Sequence, residues 1–432
     1  MVKQRIFFST ALILFSILSG LPTPALGKGR IEILPMITIE QVYDDNLFLD
    51  KNNQQSDFIT TASPGISIKG TTGNSSVDIV YSPTFVKYNE FKENDTVRHN
   101  AAIQLKQQLG TYLGLTLNDT YFKTEESIEP EGLSQIQTVR RTRKAYQRNA
   151  AGIAMDYQFG ANDSLSIGYD HEYLKNDDPA LDDFTGEGPR GLISYWFNPH
   201  NGMELSYGFR QNTYTRDDGS PPSDDFDAHE ASARYNYRFD PNTLFNIKYG
   251  LATRDFTTGT SENYRVHTGS AGINHSFSPI TSVSFDAGYY KQVNDRTHDQ
   301  VGLFFNALLN HRVQNGDFSL GGKSGWDEGF LDATRRGFTR YWETTAGFNY
   351  NIQDDLSTAT FLSYRKNRSE ISGLEDDTMT GRIGLRKNFL RWYSINLDYT
   401  HRIRNSDVLT DEYADNRITM SVSASRPYNW NY

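Results

Sequence analysis

Short polar turns recur along this chain at a nearly constant spacing. Successive turns mostly lie about 36 to 41 residues apart, and one longer, Asp-rich connection lies between each pair. Turns 160–163, 240–243 and 314–317 contain the Gly, Pro, Asn and Asp residues that favour tight turns. Alternating short turns and long loops are typical of a transmembrane β-barrel. A solenoid or a propeller can repeat at a similar length, so the spacing alone does not decide the fold.

The segments between the turns alternate apolar and polar side chains. Residues 282–290 and 392–400 show this period of two most cleanly, and about nine to eleven such residues let a tilted strand cross a membrane. Nine short turns and ten long connections predict 20 strands. We therefore predict an all-β fold, a transmembrane up-and-down antiparallel β-barrel of about 20 strands. Eighteen strands stay possible if segment 33–43 or segment 317–325 lies outside the sheet.

The N-terminus has the pattern of a secretory signal. Lys3 and Arg5 precede an apolar stretch at 6–18, and Ala25-Leu26-Gly27 is a small-x-small cleavage site. We predict a signal peptide over 1–27 and an outer-membrane barrel over 28–432. No later apolar run approaches 18 residues, which excludes a helical membrane protein. The chain has no Cys, which fits an exported protein without disulfides.

The C-terminus and the aromatic content favour the same location. Aromatic residues make up 13% of the chain and can form girdles at both membrane interfaces. From Ile418 to the terminal Tyr432, the apolar residues occupy alternate positions. This ending resembles the signal read by the barrel-assembly machinery. An ordinary edge strand is the alternative. We predict the outer membrane of a Gram-negative cell, with both termini periplasmic and with membrane lipids and lipopolysaccharide as partners. The net charge of −10 argues against nucleic-acid binding.

Enzyme motifs are absent from the sequence. The nine His residues form no His-Glu-x-x-His pattern. In Asp170-His171-Glu172, adjacent strand residues point to opposite faces, so the His cannot share a face with the carboxylates. We predict that the protein is not an enzyme and needs no cofactor or metal. A hydrolase at the barrel rim, with loop carboxylates at 217–218 and 224–225, remains the enzymatic alternative.

Placing apolar residues outward by parity leaves many charged side chains inside the barrel. The inward basic residues include ten candidate substrate-binding residues, Arg210, Arg234, Arg238, Lys248, Arg254, Arg312, Arg382, Arg386, Arg402 and Arg404. Five further basic residues share the face, Lys69, Lys106, Arg148, Lys323 and Arg417. The inward acids are Glu40, Asp78, Asp156, Asp170, Glu172, Glu204, Glu230, Asp286, Glu343 and Asp398. Rings of Arg and Lys favour anions, so the prediction is a basic-leaning lumen; ladders of neutral ion pairs that only brace the barrel are the alternative.

The longest connection, 124–143, runs from acidic to basic residues. It either folds into the pore as a constriction loop or stays at the surface as a disordered loop.

The first mature segment carries a resemblance to a known family. Residues 42–48, with the sequence Val-Tyr-Asp-Asp-Asn-Leu-Phe, are followed by Ser56-Asp57, by Ser-Pro-Gly-Ile at 63–66, and by Tyr81 and Tyr88. This opening resembles that of the β-barrel porin 2 family, outer-membrane barrels associated with exopolysaccharide export systems. The resemblance implies an outer-membrane channel that works with periplasmic polysaccharide synthesis and export proteins.

Together with the basic-leaning lumen, the resemblance leads us to predict passage of an anionic exopolysaccharide outward. A general or solute-specific diffusion porin is the first alternative, and the rim hydrolase is the second.

Overall fold

A computed structural model describes residues 29–128, 140, 142–259, 261–328, 338–370 and 372–431. From the first strand to the twentieth, consecutive strands pair antiparallel, and the first strand also pairs with the twentieth and with a short final segment. The sheet is therefore a closed barrel. The predicted signal peptide lies outside the described residues.

The strands are 13 to 16 residues long in most cases and follow one another directly. They are β1 Arg30–Asp44, β2 Asp57–Thr71, β3 Ser75–Tyr88, β4 Thr96–Gln108, β5 Leu113–Thr124, β6 Tyr146–Gln158, β7 Ser164–Asn176, β8 Asp183–Trp196, β9 Asn201–Thr215, β10 Phe226–Asp240, β11 Thr243–Phe256, β12 Tyr264–Ser278, β13 Thr281–Asn294, β14 Gln300–Val313, β15 Gly316–Glu328, β16 Phe338–Gln353, β17 Leu356–Ser369, β18 Glu375–Phe389, β19 Tyr393–Ser406, β20 Tyr413–Ser425 and β21 Tyr428–Asn431. Two 3₁₀ helices, Lys92–Asn94 and Leu409–Asp411, lie in the loops.

The last two segments are one interrupted strand. Met36 lies opposite Ser425 and Ile33 lies opposite Tyr428, so β20 and β21 pair with β1 in a single register. Pro427 between them has no N–H to donate to the ladder. The barrel therefore has twenty strands, which confirms the prediction. Segments 33–43 and 317–325 lie in β1 and β15, so the eighteen-strand alternative is wrong.

Side chains of opposite character occupy the two faces of the barrel wall. On β18, Met379, Ile383 and Leu385 are 47, 49 and 43% exposed on one face, whereas Thr380 on the other face is buried. Residues directly opposite each other in antiparallel strands share a face, so the register extends this assignment around the barrel. The apolar exposed face is the lipid face, and the other face lines the lumen.

The two ends of the barrel differ in their connections. At one end, turns of two to five residues join the strands, and we call this the short-turn end. At the other end lie the longer connections, such as 45–56 and 177–182, and we call this the long-loop end. Both described chain ends, at β1 and β21, lie at the short-turn end.

Among the described residues, no helix has the length and apolar character that crossing a membrane would require.

One short turn is built from residues that disfavour its conformation. Leu390 and Arg391 have positive φ values of 46° and 63°, which costs a residue with a Cβ about 1–2 kcal/mol. Leu390→Gly is expected to stabilise the barrel by about 0.5 kcal/mol, because the relieved strain exceeds the added freedom of the unfolded chain. Leu409→Gly is the matched control, since Leu409 is equally exposed but has no positive φ. Thermal unfolding on gels measures both, and an equal shift for the two variants would contradict the explanation.

Candidate functional site

The ten candidate substrate-binding residues all lie on the lumen face. The register pairs Arg234 with Lys248, Arg386 with Asn396 and Arg404 with Thr378, all on the side opposite the exposed apolar residues. Their location agrees with the parity assignment. Their contact with a substrate stays a prediction.

Six of the ten are paired with carboxylates. The pairs are Arg210 with Glu172, Arg234 with Glu204 (3.3 Å), Arg254 with Glu230 (2.9 Å) and Glu328 (2.8 Å), Arg382 with Asp398 (3.1 Å), Arg402 with Asp415 (4.0 Å) and Arg404 with Asp376 (3.2 Å). Each of these six lies at least six residues from the short-turn end of its strand. This part of the lumen wall is therefore braced by ion pairs, as the alternative interpretation expected.

The other four, Arg238, Lys248, Arg312 and Arg386, have no carboxylate within 4.0 Å among the described residues. Arg238 stacks on Trp196 with 4.2 Å between its Cζ and the ring centroid. All four lie within five residues of the short-turn end of their strands.

Lys106 joins this group, which we call the short-turn cations: Lys106, Arg238, Lys248, Arg312 and Arg386. Lys106 lies two residues from the end of β4 and is likewise without a carboxylate partner among the described residues. Asp156, Asp286 and Asp317 face the same section of the lumen, also without a basic partner within 4.0 Å among the described residues. Charges that are not neutralised locally at this end are therefore mainly positive.

The lumen as a whole leans basic by only a small margin. To the fifteen basic and ten acidic residues placed inside from the sequence, the register adds four basic residues, Arg30, Arg98, Arg190 and Arg365. It also adds seven acids, Glu32, Asp44, Asp57, Asp317, Asp327, Asp376 and Asp415. Nineteen bases then face seventeen acids. The predicted basic excess is therefore only two charges over the barrel wall as a whole, and the cations without a carboxylate partner are concentrated at the short-turn end.

The described parts of the β5–β6 connection fold into the long-loop mouth. Glu126 contacts Arg98 of β4 at 2.7 Å and Arg417 of β20 at 3.2 Å. Since β1, β2 and β3 separate those two strands, a residue that reaches both lies over the lumen. Arg143, at the other end of the same connection, binds Glu126 at 3.2 Å. The constriction-loop alternative is thus supported for both ends of this loop; residues 129–139 and 141 lie outside the described residues.

Strong electrostatic interactions hold this loop. Burial alone would raise the pKa of the Glu126 carboxyl, but the Arg417, Arg98 and Arg143 guanidiniums outweigh it and hold that pKa well below its usual range. The neighbouring Glu125 is buried and accepts a hydrogen bond from Tyr88 Oη at 2.7 Å. The loop end is therefore fixed by charge-assisted contacts on several sides.

The long-loop end of the β15–β16 hairpin also turns inward. Glu328 of β15 accepts hydrogen bonds from Arg254 Nε of β11 at 2.9 Å and from Tyr264 Oη of β12 at 2.8 Å. Phe338 of β16 packs on Tyr264, with 6.3 Å between ring centroids, and on Tyr290, with 5.8 Å. The hairpin thus reaches past β13 and β14 to the wall beyond them, and narrows the mouth from a second side.

Aromatic side chains line the lumen beneath these two segments. Ring-to-ring contacts of 5.2 to 6.3 Å connect Phe184, Tyr214, Phe226, Phe256 and Tyr264 around five consecutive strands. The rule that apolar residues point outward fails here, because these rings pack on one another and on guanidiniums such as Arg254 rather than against lipid. The sequence indicated Glu126 only as part of the constriction-loop alternative, and it did not indicate Glu328 or this aromatic layer as parts of the mouth. The run of charges in loop 124–143 was the one available signal.

Comparisons with known proteins concern the fold. No family model and no curated protein matches this chain. Among solved structures, the chain is similar to a mutant of the ferric enterobactin receptor PfeA from Pseudomonas aeruginosa, with 7% identity and a TM-score of 0.53 over 91% of this chain and 80% of that chain. It is also similar to the FrpB iron transporter from Neisseria meningitidis, with 9% identity and a TM-score of 0.53 over 91% and 82%. Acinetobacter baumannii OccAB4 aligns with 12% identity and a TM-score of 0.45 over 92% and 98%.

These likenesses define the class of the fold. The chain has the closed antiparallel barrel of outer-membrane proteins. Identities this low show the fold alone, so the resemblance to the β-barrel porin 2 family stays a prediction.

Proposed function

We propose that this protein is a channel in a Gram-negative outer membrane and that it passes a carboxylate-bearing exopolysaccharide out of the periplasm. The short-turn end then faces the periplasm, because transmembrane barrels of this class keep their short turns there. Side chains cannot fill a barrel of twenty strands, so a path for a solute is expected. The fold shared with a receptor and a transporter of outer membranes supports the location.

The proposal of an acidic cargo depends on the short-turn cations. Five lumen-facing cations lack a carboxylate within 4.0 Å among the described residues, and all lie where a cargo from the periplasm enters. A guanidinium without an internal carboxylate partner can bind a sugar carboxylate with two hydrogen bonds. Several weak sites of this kind guide a polymer and still release it.

The charge balance of the lumen predicts local binding of an acidic polymer rather than a strong selectivity between small ions. Because acids and bases nearly balance over the whole wall, we expect only a small preference for chloride over potassium. An acidic polymer is expected to block the current much more strongly from the short-turn side than from the long-loop side.

Conductance in planar bilayers tests this expectation. The probe is polygalacturonate, a linear acidic polysaccharide, added to one side at a time. Replacing Arg238, Lys248, Arg312 and Arg386 together by Gln is expected to raise the half-blocking concentration about tenfold, equivalent to about 1.4 kcal/mol. The matched control is Arg382→Gln with Asp398→Asn, which removes one ion pair from the same lumen without a change in net charge.

Equal block by neutral dextran, or equal block from both sides, would contradict the acidic cargo. Passage of galacturonate monomer without any block by the polymer would favour the diffusion porin. Loss of secreted polymer after gene deletion, with genes for polysaccharide synthesis next to this one, would support export and the periplasmic partners.

A further inference from the structure

We propose that Asp44, Asp45 and Asp415 bind a divalent cation, Ca²⁺ from the external medium, at the seam that closes the barrel. Asp44 is the last residue of β1 and Asp415 lies in β20, so the trio joins the first strand to the last. One carboxylate oxygen from each residue lies within 4.8 Å of the other two. Carboxylate oxygens are the ligands that Ca²⁺ prefers.

A buried oxygen of Asp415 that lacks a hydrogen-bond donor also indicates a bound cation. Its side chain is only 2% exposed, and its Oδ1 is buried without a hydrogen-bond donor. The nearest basic group, Arg402 Nη1, is 4.0 Å from the other oxygen. A buried carboxylate without donors is costly, and neighbouring carboxylates raise that cost unless they share a proton or a cation.

Surrounding contacts hold the oxygens of the trio in place. Asp45 accepts hydrogen bonds from Asn416 N at 2.7 Å and from Asn416 Nδ2 at 2.6 Å. Asp44 Oδ1 accepts one from Asn46 N at 3.0 Å. The Asp45–Asn416 bonds connect the two strands beside the site, and the Asn46 bond fixes the Asp44 carboxylate locally, so little reorganisation is needed when a cation binds.

The neighbouring charges set the expected affinity. Arg143 Nη2 is 3.5 Å from Asp44 Oδ2 and competes with a cation for that oxygen. We therefore expect a dissociation constant of about 10⁻⁴ to 10⁻³ M, the range of extracellular Ca²⁺ modules. Water completes the coordination. Mg²⁺, which gives up its water reluctantly, is expected to bind much more weakly.

Calorimetric titration of the full chain, refolded in detergent and treated with a chelator, measures CaCl₂ and MgCl₂ binding directly. The temperature at which the folded gel band disappears gives a second readout. We expect Ca²⁺ to raise that temperature. Asp415→Asn, and separately Asp45→Asn, should weaken Ca²⁺ binding at least about tenfold. Asp376→Asn is the matched control, because Asp376 is a similarly buried lumen acid at the same end, paired with Arg404.

Lack of Ca²⁺ binding by the unaltered protein up to about 10 mM would overturn the proposal. An Asp415→Asn protein that melts at a higher temperature and binds Ca²⁺ as before would also overturn it, and would indicate a proton shared between Asp44 and Asp415. Equal loss of binding in Asp376→Asn would mean that the effect is not specific to the trio.

Discussion

Glu126→Ala is expected to open the long-loop mouth and to raise the single-channel conductance about twofold or more, because Glu126 forms three ion pairs and the substitution removes all three at once. The partners are Arg98, Arg143 and Arg417, which come from β4, from the far end of the same loop and from β20. Without the Glu126 carboxylate, the three guanidiniums repel one another, and Glu125 beside Arg98 and Asp44 beside Arg143 offset that repulsion only in part. Conductance in planar bilayers and protease cleavage between β5 and β6 measure the result.

The pH dependence of the channel conductance follows from the Glu126 carboxyl group. The pKa of Glu126 is held well below its usual value of 4.5. Because the pKa of Glu126 is lower in the folded protein than in the unfolded chain, this group stabilises the folded loop fully above its unfolded-state pKa. That stabilisation is lost as the pH falls through its folded-state pKa. The conductance of the unaltered protein is therefore expected to stay constant from about pH 8 to pH 5 and to rise only at much lower pH.

The control for this loop is Glu262→Ala. Glu262 also has a lowered pKa, since hydrogen bonds from Thr297 and from the Arg296 backbone N–H outweigh the effect of burial. Its contacts connect two neighbouring surface loops and do not reach across the lumen. Its replacement should leave the conductance unchanged. A Glu126→Ala channel with unchanged conductance would contradict the view that the loop narrows the mouth.

The barrel was predictable because its determinants are local. A period of two and a turn of a few residues are visible within one hairpin, and closure follows from repeating them. Strand ends were less predictable. The predicted connection 366–377 is mostly strand, with β17 ending at Ser369 and β18 beginning at Glu375. Beyond the apolar band, the backbone hydrogen bonds of the sheet continue through charged residues, where hydropathy does not reveal a strand.

The mouth was not predictable because its partners come from distant parts of the chain. Glu126 meets Arg417, and Glu328 meets Arg254, only once the strands have closed into a barrel. Parity correctly placed Arg254 and Arg402 inside, yet it could not show that each lies beside a carboxylate. The sequence therefore predicts which face a charge occupies, but not whether that charge is available to a solute.

Arg254→Ala is expected to release the inward end of the β15–β16 hairpin and to destabilise it by about 3–5 kcal/mol, because Glu328 would remain buried without its basic partner. Arg254 is 5% exposed and binds Glu328 at 2.8 Å. Hydrogen exchange over β15 and β16 should increase, and conductance should rise with it. Arg234→Ala is the matched control, because Arg234 forms a comparable pair with Glu204 that is partly exposed on both sides.

A double variant distinguishes the contribution of the Arg254–Glu328 ion pair from that of the other hairpin contacts. Arg254→Ala combined with Glu328→Gln is expected to be more stable than Arg254→Ala alone, since no unpaired carboxylate is then buried. Phe338 would still pack on Tyr264 and Tyr290 and hold part of the hairpin. If the single and double variants exchange hydrogen equally fast, the aromatic contacts rather than the Arg254–Glu328 pair keep this segment inside the mouth.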